Sequence, residues 1–393
     1  MDFPERFSAL PEYAFPRLRA LLDGHPPGGP TLAMSIGEPQ HPFPKIATDA
    51  LAEALPLFNK YPPNDGAPEL CAAIADWVQG RYSVTLDPAR QVLALNGTRE
   101  GLFAACLALC PDTKAGGQPL VAMPNPFYQV YAVGAQAAGA RPLFVNATAE
   151  TGFLPNLTTL PPETLDRIAI AYICSPSNPQ GAVADAEYWR ALIGLAEKHD
   201  FYVFADECYA EIYRDTPPCG ALEIATAMGA DPERVVIFHS LSKRSNLPGL
   251  RSGFAAGGPR AMTEMKKLRA YAGAPLPGPL HSVATAVWRD EAHVVENRAL
   301  YAAKFDTADQ ILRPVPGYTS PAAGFFLWLP VEDGEAAALK LWTETGVRVL
   351  PGAYLSRDTE TGNPGAGFIR VALVADAPDV ARGLTLIRDS LYS

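Results

Sequence analysis

The 393 residues of this chain include 48% hydrophobic and 19% charged residues, a composition typical of a globular rather than a disordered protein. The formal net charge of −10 argues against a nucleic-acid-binding protein, which needs a basic face to offset phosphate charge. No apolar run approaches the roughly 20 residues that span a bilayer, and single hydrophobic cores stop growing at roughly 250–300 residues, so we expect one large and one smaller domain.

Seven short apolar runs follow an N-terminal segment whose Pro/Gly-rich end, residues 25–30, looks like a connector. Most of the runs are apolar on both faces, as expected for strands that helices cover on both sides. Helical stretches, such as Glu100–Cys110 and Ala186–His199, lie between several of them. This alternation predicts an α/β fold with a mainly parallel, doubly wound sheet of seven strands. The predicted strands are Val92–Leu95, Leu120–Met123, Pro142–Val145, Ile168–Ile173, Tyr202–Ala205, Val235–Phe238 and Gly253–Ala256.

The C-terminal third has a different pattern. A Pro-rich stretch at residues 275–279 precedes a long helical region, and strand-like Gly324–Leu329 and Gly367–Leu373 follow. We therefore predict a large domain at residues 31–275 and a smaller α+β domain made of residues 1–30 and 276–393.

The N-terminus and the cysteines bear on location and on metal binding. Residues 1–10 carry acids among apolar residues and lack the order of a signal peptide, so we predict a cytoplasmic protein. The six cysteines form no Cys-x-x-Cys pair and have no histidine nearby at ligand spacing, so no metal site is predicted.

A lysine loop directly follows the predicted strand Val235–Phe238, at the strand end where open α/β sheets bind ligands. Ser240 and Ser242 flank Lys243, and Arg251 follows eight residues later. Hydroxyls and an arginine are what a phosphate requires, and a lysine amine beside them can condense with an aldehyde on the same ligand. Ser-x-Ser-Lys alone is typical of a solvated surface loop, whereas the longer Ser-x-Ser-Lys-x7-Arg-x-Gly string is more specific.

This string resembles the cofactor-lysine signature of the class I/II aminotransferases, which belong to fold type I of the pyridoxal-phosphate enzymes. The resemblance implies pyridoxal 5'-phosphate as cofactor, with Lys243 as the catalytic residue that carries it and with Ser240, Ser242 and Arg251 around its phosphate. It also implies a fold-type-I transferase with a large domain and a smaller α+β domain.

Asp206 ends another predicted strand, Tyr202–Ala205. A buried carboxylate is costly unless it is paired; the resemblance implies that Asp206 pairs with the protonated pyridine nitrogen of the cofactor. Tyr209 matches the tyrosine that hydrogen-bonds the ring oxygen. Taken alone, Asp206 is equally typical of a helix N-cap.

A glycine at a strand-to-helix turn lets backbone N–H groups face an anion. Gly97, Thr98 and Arg99 occupy such a turn and resemble the phosphate cradle of the family. Tyr128, in Pro-Asn-Pro-Phe-Tyr, matches the aromatic ring that lies against the cofactor. Outside the family pattern, a Gly-Thr turn is weak evidence and an aromatic residue after a proline turn is usually part of the core.

Arg370 lies inside an apolar strand, and arginine is rarely buried without a partner. The resemblance implies that Arg370 binds the substrate α-carboxylate bidentately, that Asn178 contacts the ring oxygen and the same carboxylate, and that Ile36 and Gly37 cover it. Tyr61 matches a tyrosine that reaches the cofactor phosphate of the neighbouring subunit, which implies a homodimer.

Four stretches resemble the bacterial N-succinyldiaminopimelate aminotransferases within this family: residues 11–19, 124–131, 240–249 and 363–367. The resemblance implies N-succinyl-LL-2,6-diaminopimelate and 2-oxoglutarate or glutamate as substrates, in lysine biosynthesis. Both amino products carry a distal carboxylate. Arg244 and Arg19 are candidates to bind it on chemistry alone, although a plain surface charge is the more common role of such residues.

Alternative functions stay open at this stage. An aminotransferase of aspartate or aromatic specificity, or a pyridoxal-phosphate-dependent β-lyase, would share nearly the same site residues. A non-catalytic binding module of a transcription regulator would carry a DNA-binding segment ahead of the domain, and only about 30 residues precede the first motif.

Overall fold

The computed structural model describes residues 5–8, 10 and 12–393. Pro11, part of the stretch 11–19, and residues 1–4 and 9 of the predicted small domain lie outside the described residues. The described part forms fourteen α-helices and twelve β-strands. The helices are α1 (Ala14–Leu22), α2 (Ile46–Ala54), α3 (Pro68–Tyr82), α4 (Thr98–Leu109), α5 (Gln129–Ala137), α6 (Pro162–Leu165), α7 (Ala186–His199), α8 (Ala221–Met228), α9 (Leu241–Arg244), α10 (Pro259–Arg269), α11 (Gly278–Arg289), α12 (Ala292–Leu312), α13 (Gly334–Thr345) and α14 (Ala377–Leu391). The strands are β1 (Leu32–Ala33), β2 (Val92–Leu95), β3 (Leu120–Asn125), β4 (Arg141–Asn146), β5 (Ile168–Cys174), β6 (Tyr202–Asp206), β7 (Val235–Ser240), β8 (Gly253–Gly257), β9 (Phe326–Pro330), β10 (Val347–Arg348), β11 (Leu350–Pro351) and β12 (Phe368–Ala372).

The large sheet has seven strands in the order β2-β8-β7-β6-β5-β3-β4. Only β8 runs antiparallel to its neighbours, and the other pairings among β3 to β7 are parallel. This confirms the predicted mainly parallel α/β sheet. In the register, Asp206 lies beside Cys174 of β5 and Phe238 of β7, so these strands end at one edge of the sheet.

Helices cover both faces of the large sheet. Successive residues of β5 alternate between two hydrophobic cores: Ala171 and Ile173 belong to the core under α3, α7, α8 and α11, whereas Ile170 and Tyr172 belong to the core under α4, α5 and α10. Because both faces are buried, the strands are apolar along their whole length, which is why they were recognisable in the sequence.

The smaller sheet has the antiparallel order β11-β12-β9, and β1 pairs with β10 in a separate parallel pair. Arg370 of β12 lies opposite Leu350 on one side and Trp328 on the other. α12, α13 and α14 pack around these strands and share one core with them. The two strands predicted in this region are confirmed, with ends shifted by one or two residues.

The predicted division at residue 275 stays a proposal. Val283 and Trp288 of α11 pack in the core beside the large sheet, whereas Tyr301 and Phe305 of α12 pack in the core beside the small sheet. This packing favours a domain boundary between α11 and α12 rather than at residue 275. No helix among the described residues is both long and apolar enough to cross a membrane.

Candidate active site

A cavity of about 400 Å³ lies at the carboxyl ends of β5, β6 and β7, where open α/β sheets bind ligands. Its walls also include the segment after β1, the start of α4 and strand β12 of the small sheet. Most of the predicted site residues line it: Ile36, Gly37, Thr98, Arg99, Tyr128, Asn178, Asp206, Tyr209, Ser240, Ser242, Lys243, Arg251 and Arg370.

Lys243 lies in the single-turn helix α9, directly after β7. Its ammonium group donates a hydrogen bond to the carbonyl oxygen of Gly37. Burial, together with the positive charges of Arg370 and Arg251, lowers the pKa of Lys243 to about 8. A lysine with a pKa near neutrality is available both as a nucleophile and as a proton carrier.

Asp206 is buried at the end of β6 and faces the cavity. The Tyr131 hydroxyl donates to its Oδ2 at 2.6 Å, and the backbone N–H of Cys208 donates to its Oδ1 at 3.3 Å. Burial raises the pKa of Asp206, while the Tyr131 hydrogen bond opposes that rise. The Tyr131 ring stacks on Tyr172 with centroids 4.4 Å apart, which holds the hydroxyl in place.

Tyr131 was not among the predicted site residues. It lies three positions after Tyr128, so both side chains project from the same face at the start of α5. A buried carboxylate needs a donor, and that requirement is the signal that could have identified Tyr131.

The start of α4 forms a cradle for an anion. Gly97 has φ +79°, and a Cβ there would lie 2.2 Å from the Arg251 guanidinium, so a side chain would crowd this corner. Beyond Gly97, the first N–H groups of α4 lack helical acceptors, as at any helix N-terminus, and are therefore available to an anion. Ser240 Oγ lies 2.9 Å from Ser242 Oγ, and Arg251 donates to the carbonyl of Pro248 at 2.8 Å.

Arg99 and Tyr128 form one wall of the cavity. Arg99 Nε donates to the Tyr128 hydroxyl at 2.8 Å, and the Tyr128 ring meets Tyr131 edge-on with centroids 5.7 Å apart. The wall therefore presents an oriented aromatic ring above the strand ends.

Arg370 is buried at the opposite side of the cavity. It donates to Asn178 Oδ1 at 2.9 Å and to the carbonyl of Ser35 at 2.8 Å, and its Cζ lies 4.2 Å from the centroid of the Phe326 ring. Burial lowers the pKa of Arg370 to about 10. Among the described residues it has no carboxylate within ion-pair distance, and a buried cation without a counter-charge is costly, so this side of the cavity favours an anion.

The segment after β1 covers Arg370. Gly37 accepts from Lys243, and a Cβ on Gly37 would lie 2.3 Å from the Phe326 ring, so a bulkier residue would push the segment off the cavity. Ile36 is half exposed at the mouth. Both residues line the cavity that contains Lys243.

Four predicted or candidate residues are not among those that line this cavity: Gly97, at the turn before α4, and Tyr61, Arg244 and Arg19. Tyr61 is fully exposed and does not line the cavity of its own chain. Arg244 is buried, where it forms an ion pair with Glu291 and donates a hydrogen bond to the carbonyl of Val287 at 3.1 Å. Its charge is therefore already neutralised within the chain. Arg19 is exposed on α1. Neither arginine lines the cavity that contains Lys243.

Further residues that were not predicted as site residues also line the cavity. Cys208 Sγ lies 3.1 Å from Thr98 Oγ1, under the strand ends. Tyr13, Phe127 and Leu355 also line the cavity. They come from distant segments, so their proximity becomes visible only in the fold.

Comparison with known proteins agrees with this geometry. Residues 30–384 match the family model of aminotransferase class I and II. An LL-diaminopimelate aminotransferase of Dehalococcoides mccartyi is 32% identical over 98% of this chain and 97% of its own length. The crystal structure of an aminotransferase from Neisseria meningitidis superposes with a TM-score of 0.94 at 38% identity, covering 98% of this chain and 99% of that one. A probable N-succinyldiaminopimelate aminotransferase from Thermus thermophilus superposes with a TM-score of 0.83 at 29% identity, over 96% of this chain and 100% of that one.

Proposed function

The chain belongs to the class I and II aminotransferases, a pyridoxal-phosphate-dependent family, and on that premise we propose that it exchanges an amino group between N-succinyl-LL-2,6-diaminopimelate and 2-oxoglutarate. The relative from Thermus thermophilus supports the succinylated substrate, and the relative from Dehalococcoides mccartyi makes unsubstituted LL-diaminopimelate the second candidate. The observation that carries the transaminase assignment is the placement of Lys243, Asp206 and Arg370 around one cavity.

The described residues fit pyridoxal 5'-phosphate. Asp206 offers a buried carboxylate for a protonated ring nitrogen, and Ser240, Ser242 and Arg251 line the same cavity with the hydroxyl and guanidinium donors that a phosphate requires. Tyr209 and Asn178 line the same cavity and are proposed to contact the ring oxygen. When bound, the cofactor supplies an electron sink that stabilises the negative charge left on the substrate Cα.

Lys243 is the proposed proton carrier. Its pKa of about 8 leaves part of the population neutral at physiological pH, so the amine accepts the α-proton and then returns it at a different atom. The carbonyl of Gly37 holds the Lys243 ammonium while it is protonated. Proton transfer by a positioned group contributes roughly 10²–10⁴ to the rate.

Arg370 is the proposed receptor for the substrate α-carboxylate. Its planar guanidinium matches a carboxylate bidentately. Asn178 Oδ1, 2.9 Å from Arg370 Nη1, fixes the orientation of the guanidinium before the substrate arrives. Phe326 packs beneath it and keeps water from the other face.

A homodimer is part of the proposal. Tyr61 is fully exposed, and Phe58, Leu55 and Phe43 are exposed apolar residues in the same part of the chain. Such a concentration of exposed apolar side chains is typical of a protein interface. Tyr61 is then available to the site of the second subunit. All six cysteines lie in the described residues and are free, which fits the reducing conditions of the cytoplasm.

The test begins with an absorption spectrum of the cofactor-loaded protein before and after glutamate. We expect a visible band that moves to the ultraviolet as 2-oxoglutarate appears, and no such conversion in the Lys243→Ala variant. The converted enzyme is then offered the keto forms of N-succinyl-LL-diaminopimelate, LL-diaminopimelate, aspartate and phenylalanine. Faster return of the visible band with an aspartate or phenylalanine keto acid would contradict the proposed substrate. Release of ammonia and pyruvate from a β-substituted amino acid, offered separately to the enzyme before conversion, would indicate a β-lyase.

A further inference from the structure

Helix α12 contacts the turn that carries Lys243. Asn297, a buried residue of α12, donates hydrogen bonds from its Nδ2 to the backbone carbonyls of Lys243 and Arg244, each at 3.3 Å. Because α9 is a single turn, the carbonyls of its last residues have no donors within the helix. Asn297 therefore supplies, from a distant part of the chain, hydrogen bonds that hold the backbone of Lys243.

The other end of the Asn297 side chain holds the segment after β1, which covers the cavity. Its Oδ1 accepts from Asn246 Nδ2 at 3.0 Å and lies 3.1 Å from His41 Nδ1. Gly37, four residues before His41, accepts a hydrogen bond from the Lys243 ammonium. Lys243 is thus attached to this segment at both ends, directly through its ammonium and through Asn297 at its carbonyl.

Lys304, another buried residue of α12, fixes the direction of these hydrogen bonds. Burial lowers its pKa to about 8, so at pH 7 it is mainly an ammonium, which can only donate, and its Nζ lies 2.6 Å from His41 Nε2. Burial also lowers the pKa of His41, so the neutral ring carries its hydrogen on Nδ1, towards Asn297 Oδ1. The amide nitrogen of Asn297 must then face the carbonyl of Lys243.

The charge of Lys304 makes this chain of hydrogen bonds costly for folding. Lys304 donates to the carbonyl of Val374 at 3.3 Å, but no carboxylate in the part of the chain that the structure describes lies within 4.0 Å of its ammonium. A buried charge without a counter-charge is a poor source of stability. The arrangement therefore favours a role in ordering the lysine turn over a role in stability alone.

We propose that Asn297 is a positioning residue for Lys243. It fixes the backbone from which the Lys243 side chain reaches the cofactor aldehyde and, later, the α-proton of the substrate. The inference rests on the proposed role of Lys243 and deepens it. Asn297 does not line the cavity, so it acts through Lys243, and a misplacement of about 1 Å in such a group costs roughly 10² in rate.

Covalent loading of the cofactor-free protein measures the position of Lys243 without turnover. When pyridoxal 5'-phosphate is added, Lys243 Nζ and the aldehyde carbon form a C=N bond with loss of water; borohydride then reduces this bond, and mass spectrometry of the Lys243 peptide gives the rate. Asn297→Leu keeps a similar volume but offers no hydrogen bond, and we expect loading to slow at least about tenfold. The affinity for pyridoxamine 5'-phosphate, which has no aldehyde, should change by less than about twofold.

The half-reaction with glutamate gives a second measurement. In loaded Asn297→Leu, the rate at saturating glutamate should fall about tenfold, while the glutamate concentration at half-saturation stays within about twofold, because Arg370 and not Asn297 binds the carboxylate. The isotope effect with α-deuterated glutamate should rise, because transfer of the α-proton by Lys243 becomes the slower step. A loss of stability alone would not change this isotope effect.

His293→Leu is the matched control. His293 lies one turn before Asn297 on α12, and its Nε2 lies 2.8 Å from Ser245 Oγ, so it also ties α12 to the lysine loop but does not contact Lys243. It should lower stability while leaving the loading rate and the isotope effect unchanged. Asn297→Asp keeps the shape and the acceptor for His41 but offers no donor, so it should also load slowly and replaces the leucine variant if that variant misfolds. An unchanged loading rate in a folded Asn297 variant, or an equal loss in His293→Leu, would overturn the positioning role.

The same experiments separate this inference from the proposed function. If diaminopimelate derivatives are substrates but Asn297→Leu loads and reacts like the wild type, the positioning role is wrong and the proposed function stands. If Asn297→Leu loads slowly but the wild-type enzyme does not act on diaminopimelate derivatives, the proposed substrate is wrong and the positioning role stands. A wild-type protein that does not load at Lys243 would overturn both.

Discussion

Replacing Lys243 with methionine should stabilise the cofactor-free protein, even though it removes the proposed catalytic residue. Burial and two neighbouring arginines lower the pKa of Lys243 from 10.5 to about 8. Each unit corresponds to about 1.4 kcal/mol, so below pH 8 the buried charge costs at most about 3.5 kcal/mol. The side chain is partly open to the cavity, and methionine also loses the hydrogen bond to Gly37. We therefore expect a net gain of about 1–2 kcal/mol at pH 7.

The pH dependence has a definite sign. Because the folded pKa of Lys243 is depressed, the destabilisation is complete below about pH 8 and is relieved as pH rises toward 10.5. The melting temperature of the variant should exceed that of the wild type by roughly 1–3 °C at pH 7. The difference should shrink steadily between pH 8 and 10.5.

Differential scanning calorimetry on both proteins, stripped of cofactor, measures this difference. Lys198→Met, at an exposed position of α7, controls for the loss of a lysine as such and should show no such pH-dependent gain. A Lys243→Met protein that melts at or below the wild-type temperature at pH 7, or a gain that does not change up to pH 10.5, would refute the reasoning.

Three further predictions concern the site. Tyr131→Phe removes a charge-assisted hydrogen bond to Asp206 that is worth about 1.5–3 kcal/mol. Cofactor affinity should therefore fall roughly tenfold or more, and the acid limb of the pH–activity profile should move to higher pH. Tyr172→Phe is the control, because the Tyr172 hydroxyl donates to a backbone carbonyl, and it should change neither property. Arg370→Lys should raise the KM for every amino donor at least about tenfold, measured by steady-state kinetics, while the cofactor spectrum stays normal. Gly97→Ala forces a Cβ into a residue with φ +79°, and equilibrium titration should show weaker cofactor binding, with a loss of about 1–3 kcal/mol of stability. An unaltered cofactor affinity in Tyr131→Phe or Gly97→Ala, or an unaltered KM in Arg370→Lys, would contradict the corresponding role.

The seven strands of the large sheet were all predictable, because burial on both faces makes them continuously apolar. The exact carboxyl ends of several of these strands were not predictable. β3, β6 and β7 each run one or two residues beyond the predicted end, to Asn125, Asp206 and Ser240. The predicted strands end where the run of apolar residues ends, whereas the hydrogen-bonded pairing with the neighbouring strands continues into the polar residues that follow. Two of these polar ends, Asp206 and Ser240, line the cavity, so the hydrophobic pattern and the backbone pairing diverge at the edge of the sheet that carries the candidate site.

The candidate site shows a similar division. Residues carried by a motif, such as Lys243 and Asn178, could be located from the sequence. The carbonyls of Ser35 and Gly37, which orient Arg370 and Lys243, belong to the backbone and leave no mark in residue type. Arg244 looked available for a ligand because its partner, Glu291, is remote in the sequence.

The pairing of the first strand with the last third of the chain determines when the site can exist during synthesis. Ser35 and Arg370, whose contact orients the proposed carboxylate receptor, are 335 residues apart. In the same way, β1 cannot pair until β10 has been synthesised. At about 5–20 residues per second, a ribosome needs roughly 20–60 s to make the intervening chain. The large sheet is complete well before then. A nascent chain therefore passes through a period in which the strand ends of the large sheet have been synthesised, but the part of the cavity that contains Arg370 has not.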